Sequence, residues 1–121
     1  MTIQEHYRAK GATLAPDGIP LHFGDLKREY EAALEAATIL DRSHEGRIEI
    51  SGKDRFEILN RISTNDMTNM QPGEARATLL TNPNGRILER LVVFNWHEDS
   101  LLMITGPGRG VGVLNYLQRQ I

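Results

Sequence analysis

The stretch Arg76-Ala77-Thr78-Leu79-Leu80-Thr81-Asn82-Pro83-Asn84-Gly85-Arg86-Ile87-Leu88-Glu89-Arg90-Leu91 decides the fold. Arg76–Thr81 reads as a strand. Asn82-Pro83-Asn84-Gly85 reads as a turn, because Asn-Gly readily supplies the positive φ angles of a hairpin. A long strand, Arg86–Trp96, follows, and His97-Glu98-Asp99-Ser100 turns the chain again into Leu101–Thr105. Strands joined by such short turns must be antiparallel, since a parallel pair needs a long crossover.

Working outward, Arg47–Ser51 alternates, with Ile48 and Ile50 on one side and Arg47, Glu49 and Ser51 on the other. That is the pattern of a half-buried strand. Ser51 with Asp54 resembles a capping box and opens a helix over 52–63, with Phe56, Leu59 and Ile62 on its buried stripe. Ser63-Thr64-Asn65-Asp66 ends it. After the third meander strand, Gly106-Pro107-Gly108 breaks the chain into a helix over 108–121, with Val113, Leu114, Leu117 and Ile121 on its apolar side. Upstream, Asp25 is a fair N-cap. Behind it Leu26, Tyr30, Ala33, Leu34 and Ala37 recur at helical spacing. Residues 1–24 show no clean period and read as an irregular arm with one short strand.

The fold class predicted is α+β: a ferredoxin-like antiparallel sheet from about residue 46, with both later helices on one face, preceded by a helical and irregular arm. The expected division is 1–45 for the arm and first helix and 46–121 for the sheet subdomain. A last helix that stops with Ile121 in apolar register suggests a chain that continues.

Composition narrows the function classes. Among 121 residues, Lys plus Arg number 14 and Asp plus Glu 16, a formal net charge of −2. A nucleic-acid protein would normally carry a basic face, so none is expected as partner. There is no cysteine, so this chain supplies no disulfide, thiolate nucleophile or iron–sulfur ligand. Its longest apolar runs, Leu91–Phe94 and Leu101–Ile104, are too short to span a membrane. The first ten residues lack the apolar core of a secretory signal, so a cytoplasmic protein is the expectation.

Most motifs are best read plainly. Gly106, Gly108, Gly110 and Gly112 tempt a phosphate-loop reading, but Val111 breaks the dinucleotide fingerprint and no Gly-Lys-Ser/Thr follows. His6, His22, His44 and His97 have no pair at metal-ligand spacing. Asp41, Ser43 and His44 suggest a turn better than a triad. Glu89 stands out. It shares a strand face with Ile87, Leu91 and Val93, where a carboxylate serves as an acid–base group or a hydrogen-bonding anchor. The alternative is that Glu89 reaches water or pairs with an arginine. Arg90 points to the other face with Leu88 and Val92.

Five segments then stand together: Pro20-Leu21-His22-Phe23-Gly24, Leu40-Asp41-Arg42-Ser43-His44-Glu45-Gly46, Ser51-Gly52-Lys53-Asp54, Ser63-Thr64-Asn65-Asp66 and Thr81–Leu88. In this order and spacing they resemble the amino-terminal half of the glycine-cleavage T-protein (aminomethyltransferase) superfamily. The dialect is nearer the T-protein-like folate-binding paralogues linked to iron–sulfur enzymes. The resemblance implies the amino-terminal part of a ring-shaped folate-binding fold, with residues 1–45 belonging to a discontinuous first domain and 46–121 forming the folate-binding subdomain. It implies tetrahydrofolate or a derivative as cofactor, a lipoyl-carrier or iron–sulfur protein as partner, and a further carboxyl-terminal domain. Glu89 falls on the family's functional acidic position, and Asn82 and Thr105 are implied beside it as cofactor-binding residues. Arg90, Ala77 and Glu45 depart from the family's acidic, aromatic and methionine residues. Those departures favour an accessory folate-binding protein over an aminomethyltransferase, with an inactive fragment as a third possibility.

Overall fold

The computed structural model describes residues 1–121. They form two compact units, 1–44 and 45–121.

The first unit is more ordered than its sequence suggests. Helix α1 spans Ile3–Ala9 and opens with a capping box, in which Thr2 Oγ1 accepts the Glu5 N–H and the Glu5 carboxylate accepts the Thr2 N–H. Strands β1 (Thr13–Leu14) and β2 (Pro20–His22) form a short antiparallel ladder. The irregular arm expected over 1–24 therefore contains a helix and two strands. A helix of seven residues is too short to display a period. Helix α2 spans Leu26–Glu35, with Asp25 as N-cap accepting the Arg28 N–H at 3.0 Å. Its stripe of Leu26, Tyr30 and Leu34 is exposed. The Tyr7 hydroxyl donates to Asp41 at 2.8 Å, which raises the tyrosine's pKa. Asp41 is held below the usual carboxylate range, first by the Ser43 N–H and hydroxyl and then by Tyr7. Asp41 is thus committed to a turn.

The second unit is α+β. Strand β3 (Glu45–Ser51) leads into helix α3 (Arg55–Ile62). Strands β4 (Ala75–Thr81), β5 (Ile87–His97) and β6 (Ser100–Pro107) follow, then helix α4 (Gly110–Gln118). The strands form one antiparallel sheet in the order β3-β6-β5-β4. Alternation places Ile48, Leu80, Leu91, Val93, Leu101 and Met103 on one face, all buried. Leu59 of α3 and Val113 and Leu117 of α4 complete the same core, so both helices cover that face.

Several local expectations need correction. Helix α3 starts at Arg55 with Asp54 as N-cap, and Asp54 makes no side-chain cap bond. Gly52, at φ +107°, cannot begin a helix, so the Ser51–Asp54 capping box does not form. Strand β6 runs through Gly106 and Pro107 because Pro107 still pairs with Glu45; the break falls at Gly108, φ +69°. Helix α4 ends at Gln118, leaving Ile121 outside it and 81% exposed.

The α3–β4 loop is built from polar residues. Asp66 accepts from the Thr68 hydroxyl and N–H, which together hold its pKa low. Glu74 is held low by the Gln71 N–H and then by Arg76, whose Nε lies 2.9 Å away. Arg76 also donates to the Asp66 carbonyl at 2.7 Å. The Ser63–Asp66 segment therefore ties the loop to the edge strand, with the Asn65 amide donating to the Ala77 carbonyl.

Candidate functional site

Glu89 sits opposite Leu80 in the β4–β5 ladder, two residues before buried Leu91 on the same face. Ile87, the neighbour on its other side, is exposed. The carboxylate therefore lies where the core face opens to solvent.

Glycine brings its partner into place. A Cβ on Gly46 would run into the Thr105 hydroxyl and come within 2.7 Å of Gly110 Cα. Only glycine lets the start of α4 pack this closely on β3. Gly108 takes the left-handed turn that swings Arg109 back toward the sheet. Arg109 Nε then lies 2.9 Å from Glu89 Oε2, and Arg109 Nη2 donates to the Leu88 carbonyl at 3.0 Å. Glu89 Oε1 accepts from the N–H of Arg90 at 3.2 Å and of Gly106 at 3.4 Å. The arginine pairing is the alternative left open by the sequence, and it is the one the structure adopts. The Glu89 side chain is 11% exposed and that of Arg109 55%, so the guanidinium forms the outer part of the pair.

Beside this pair is a cleft of about 180 Å³. Leu80, Leu88, Val113 and the Tyr116 ring supply its apolar lining, and Glu89, Arg109 and Arg119 its charged groups. The arrangement offers an apolar surface with a cation and an acceptor carboxylate side by side. A carboxylate held by an arginine and two backbone N–H groups is set up to accept hydrogen bonds.

The other residues implied for the site lie outside this lining. Thr105 is buried, with its hydroxyl donating to the Gly106 carbonyl at 3.0 Å. Asn82 is half-buried and builds the turn, its side-chain oxygen accepting from the N–H groups of Asn84 and Arg86. Arg90 projects from the opposite face of β5, into a shallow groove with Thr64, Asn65 and Leu79. Arg109, Tyr116 and Arg119 are the site residues that sequence reasoning missed. The one available signal was an arginine set between Gly108 and Gly110, directly after the strand that pairs with Glu89's own.

Comparison with known proteins identifies the family. The family described as the GCVT N-terminal domain matches residues 3–121. The aminomethyltransferase of Bacillus subtilis (strain 168) is 35% identical over 86 residues, covering 71% of this chain and 24% of the relative. A probable aminomethyltransferase of Halobacterium salinarum is 34% identical over 93 residues, covering 74% of this chain and 26% of the relative. The chain thus spans about a quarter of the length of these relatives. The crystal structure of glycine cleavage system aminomethyltransferase T from Bartonella henselae superposes with a TM-score of 0.80 over 96% of this chain and 33% of that one. At 23% identity, that likeness concerns the fold alone.

Proposed function

Because the chain belongs to the family of GCVT N-terminal domains, we propose that it forms one wall of a tetrahydrofolate site and serves folate binding as an accessory protein. The observation that carries the reading is the Glu89–Arg109 pair at the edge of an apolar cleft. The donor set fits one part of a reduced folate. Leu88 and Tyr116, the partly exposed apolar residues of the lining, offer a surface for the flat ring system. Of roughly four acceptor sites on a carboxylate, Arg109, Arg90 and Gly106 occupy three in Glu89, leaving one for a ring N–H. The cleft volume of about 180 Å³ is smaller than an ordinary small-molecule site. The remaining wall then comes from elsewhere in the protein, as the length of the relatives suggests.

Arg90, Ala77 and Glu45 depart from the family's transferase pattern, which favours binding over transfer. Aminomethyl transfer is the second reading, favoured by relatives that are named aminomethyltransferases. A lipoyl-carrier or iron–sulfur protein partner and a cytoplasmic setting go with these readings. No helix is long and apolar enough to cross a membrane.

Two experiments test this. Titration of the ¹⁵N-labelled chain with 5-formyltetrahydrofolate should shift amide signals of Leu88–Arg90 and Arg109–Tyr116. Incubation with tetrahydrofolate and an aminomethylated lipoyl carrier should give no methylene-tetrahydrofolate. Product formation would establish the second reading, and an unmoved spectrum would remove both.

A further inference from the structure

We infer that the sheet face turned away from the helices is a self-complementary interface: a second copy of this chain packs on it face to face, across a two-fold axis, with its strands running in the opposite direction. Helices α3 and α4 both cover the core side of the sheet, so neither reaches this face. The cleft beside Glu89 lies on the core side and takes no part.

The strand register lays this face out in rows. Val92 pairs with Ala77 on one side and Ile104 on the other, and Ile104 pairs with Arg47. The next row is Ala75, Phe94, Leu102 and Glu49. One step beyond these rows, β5 carries Arg90 at one end and Trp96 at the other. Val92, Phe94, Leu102 and Ile104 are half-buried, while Arg47, Glu49, Arg90 and Trp96 are exposed. The face is therefore apolar in the middle. On β3 it has a cation next to a carboxylate, and on β5 a cation and an indole ring at opposite ends.

A two-fold axis lying across the strands, between the two rows, sets each row against the other row of the second copy. Arg47 then comes opposite Glu49, Ile104 opposite Leu102, Val92 opposite Phe94 and Arg90 opposite Trp96, each pairing occurring twice. Opposite charges meet at the edge, apolar side chains meet in the middle, and a guanidinium meets an indole ring. An axis along the strands, midway across the sheet, would instead set Arg47 on Ala77 and Glu49 on Ala75, matching no charge. Packed sheets are usually rotated by about 30° from each other, which the long Arg47 and Glu49 side chains can follow. Four strands about 4.8 Å apart, with four alternating side chains along β5, give a face of roughly 20 by 20 Å, on the order of 1,000 Å² over both copies. That is the low end for a specific interface, so the dimer is weak: the chain is monomeric when micromolar and dimeric toward millimolar concentration.

Sedimentation of the chain over a concentration series tests this. Trp96 is the only tryptophan, so its fluorescence reports on this face directly. Wild type should pass from monomer to dimer between micromolar and millimolar concentration, with the emission of Trp96 moving to the blue. Glu49→Arg sets like charges together at two symmetric places and should weaken association about tenfold or more. Combining it with Arg47→Glu exchanges the charges, keeps them opposite across the axis, and should restore association to within about threefold of wild type. Trp96→Ala removes the ring from both copies and should also weaken association about tenfold or more. A cooperative urea transition reports that each variant is folded. A chain still monomeric at millimolar concentration overturns the inference. So does a dimer that Glu49→Arg and Trp96→Ala leave unchanged, or a loss with Glu49→Arg that the charge exchange does not restore.

Discussion

Arg109 and Glu89 are 20 residues apart in sequence, and their side chains meet at 2.9 Å. The contact joins the first residue of the α4 cap to the middle strand β5, so it ties the helix to the sheet as well as shaping the cleft. Because Arg109 is more than half exposed, solvent screens the pair. A double-mutant cycle with Glu89→Gln and Arg109→Ala, read by urea unfolding, should give a coupling energy of about 1 kcal/mol or less. A coupling several times larger would make the pair a buried structural bridge.

Gly46 should tolerate no side chain. Gly46→Ala places a methyl group against the Thr105 hydroxyl and the backbone of Gly110, neither of which can swing away freely. The expected loss is about 1–3 kcal/mol in urea unfolding. It should come with shifted amide signals at Arg109 and Gly110, since the start of α4 must retreat. A neutral substitution would mean that α4 sits less tightly on β3.

Acid should loosen the α3–β4 loop. Asp66 and Glu74 both have pKa values lowered in the folded chain, by the Thr68 hydroxyl and N–H and by the Gln71 N–H respectively. A lowered folded value means that the unfolded chain takes up protons first as pH falls. Their contribution is therefore complete above the ordinary carboxylate values of about 4 and is lost as pH drops through the folded values. Asp66→Asn should flatten the fall in stability across that window. Unfolding midpoints measured in steps from pH 6 down would check it, and a wild-type curve no steeper than the variant's would contradict it.

The two faces of the sheet should respond differently to truncation. Leu91 is fully buried among Leu80, Val93 and the helices, and Leu91→Ala should cost about 2–5 kcal/mol. Trp96, 62% exposed on the opposite face, should cost well under half of that when cut to alanine. Equal losses would mean that the open face is packed in solution.

What could be read in advance was local. Alternation at Arg47–Ser51, the Asn82–Gly85 turn and the Asp25 cap each depend on a few neighbouring residues, and each is found in place. Even there, only Gly85 takes a positive φ, so Asn84 helps through its place in the turn and not through a left-handed backbone. Helix α1 was hidden because its seven residues give no period, although Thr2 and Glu5 do form a capping box. The polarity of Glu89's setting was legible, but its partner was not. Which of 14 lysines and arginines would reach it depends on the β5–β6 register and on how closely α4 packs at Gly46, and neither is written in local sequence.

Weak affinity should mark the chain by itself. A ligand site normally surrounds most of its ligand, and here one wall is in view. Calorimetry with tetrahydrofolate at micromolar protein should give little heat, while amide shifts should saturate only at millimolar ligand. Sub-micromolar affinity would show that this wall suffices.

The most direct measurement is the titration of wild type, Glu89→Gln and Arg90→Ala with 5-formyltetrahydrofolate, followed through amide shifts. Glu89→Gln preserves shape and removes the charge, so it tests the carboxylate and leaves packing alone. The account predicts that Glu89→Gln loses the site-localised shifts that wild type shows at millimolar ligand, a loss of about 1.5–3 kcal/mol, roughly 10- to 150-fold in affinity. Arg90→Ala, on the opposite face, should bind almost as wild type does. A silent Glu89→Gln together with a damaging Arg90→Ala would contradict the account and place folate on the other face of β5.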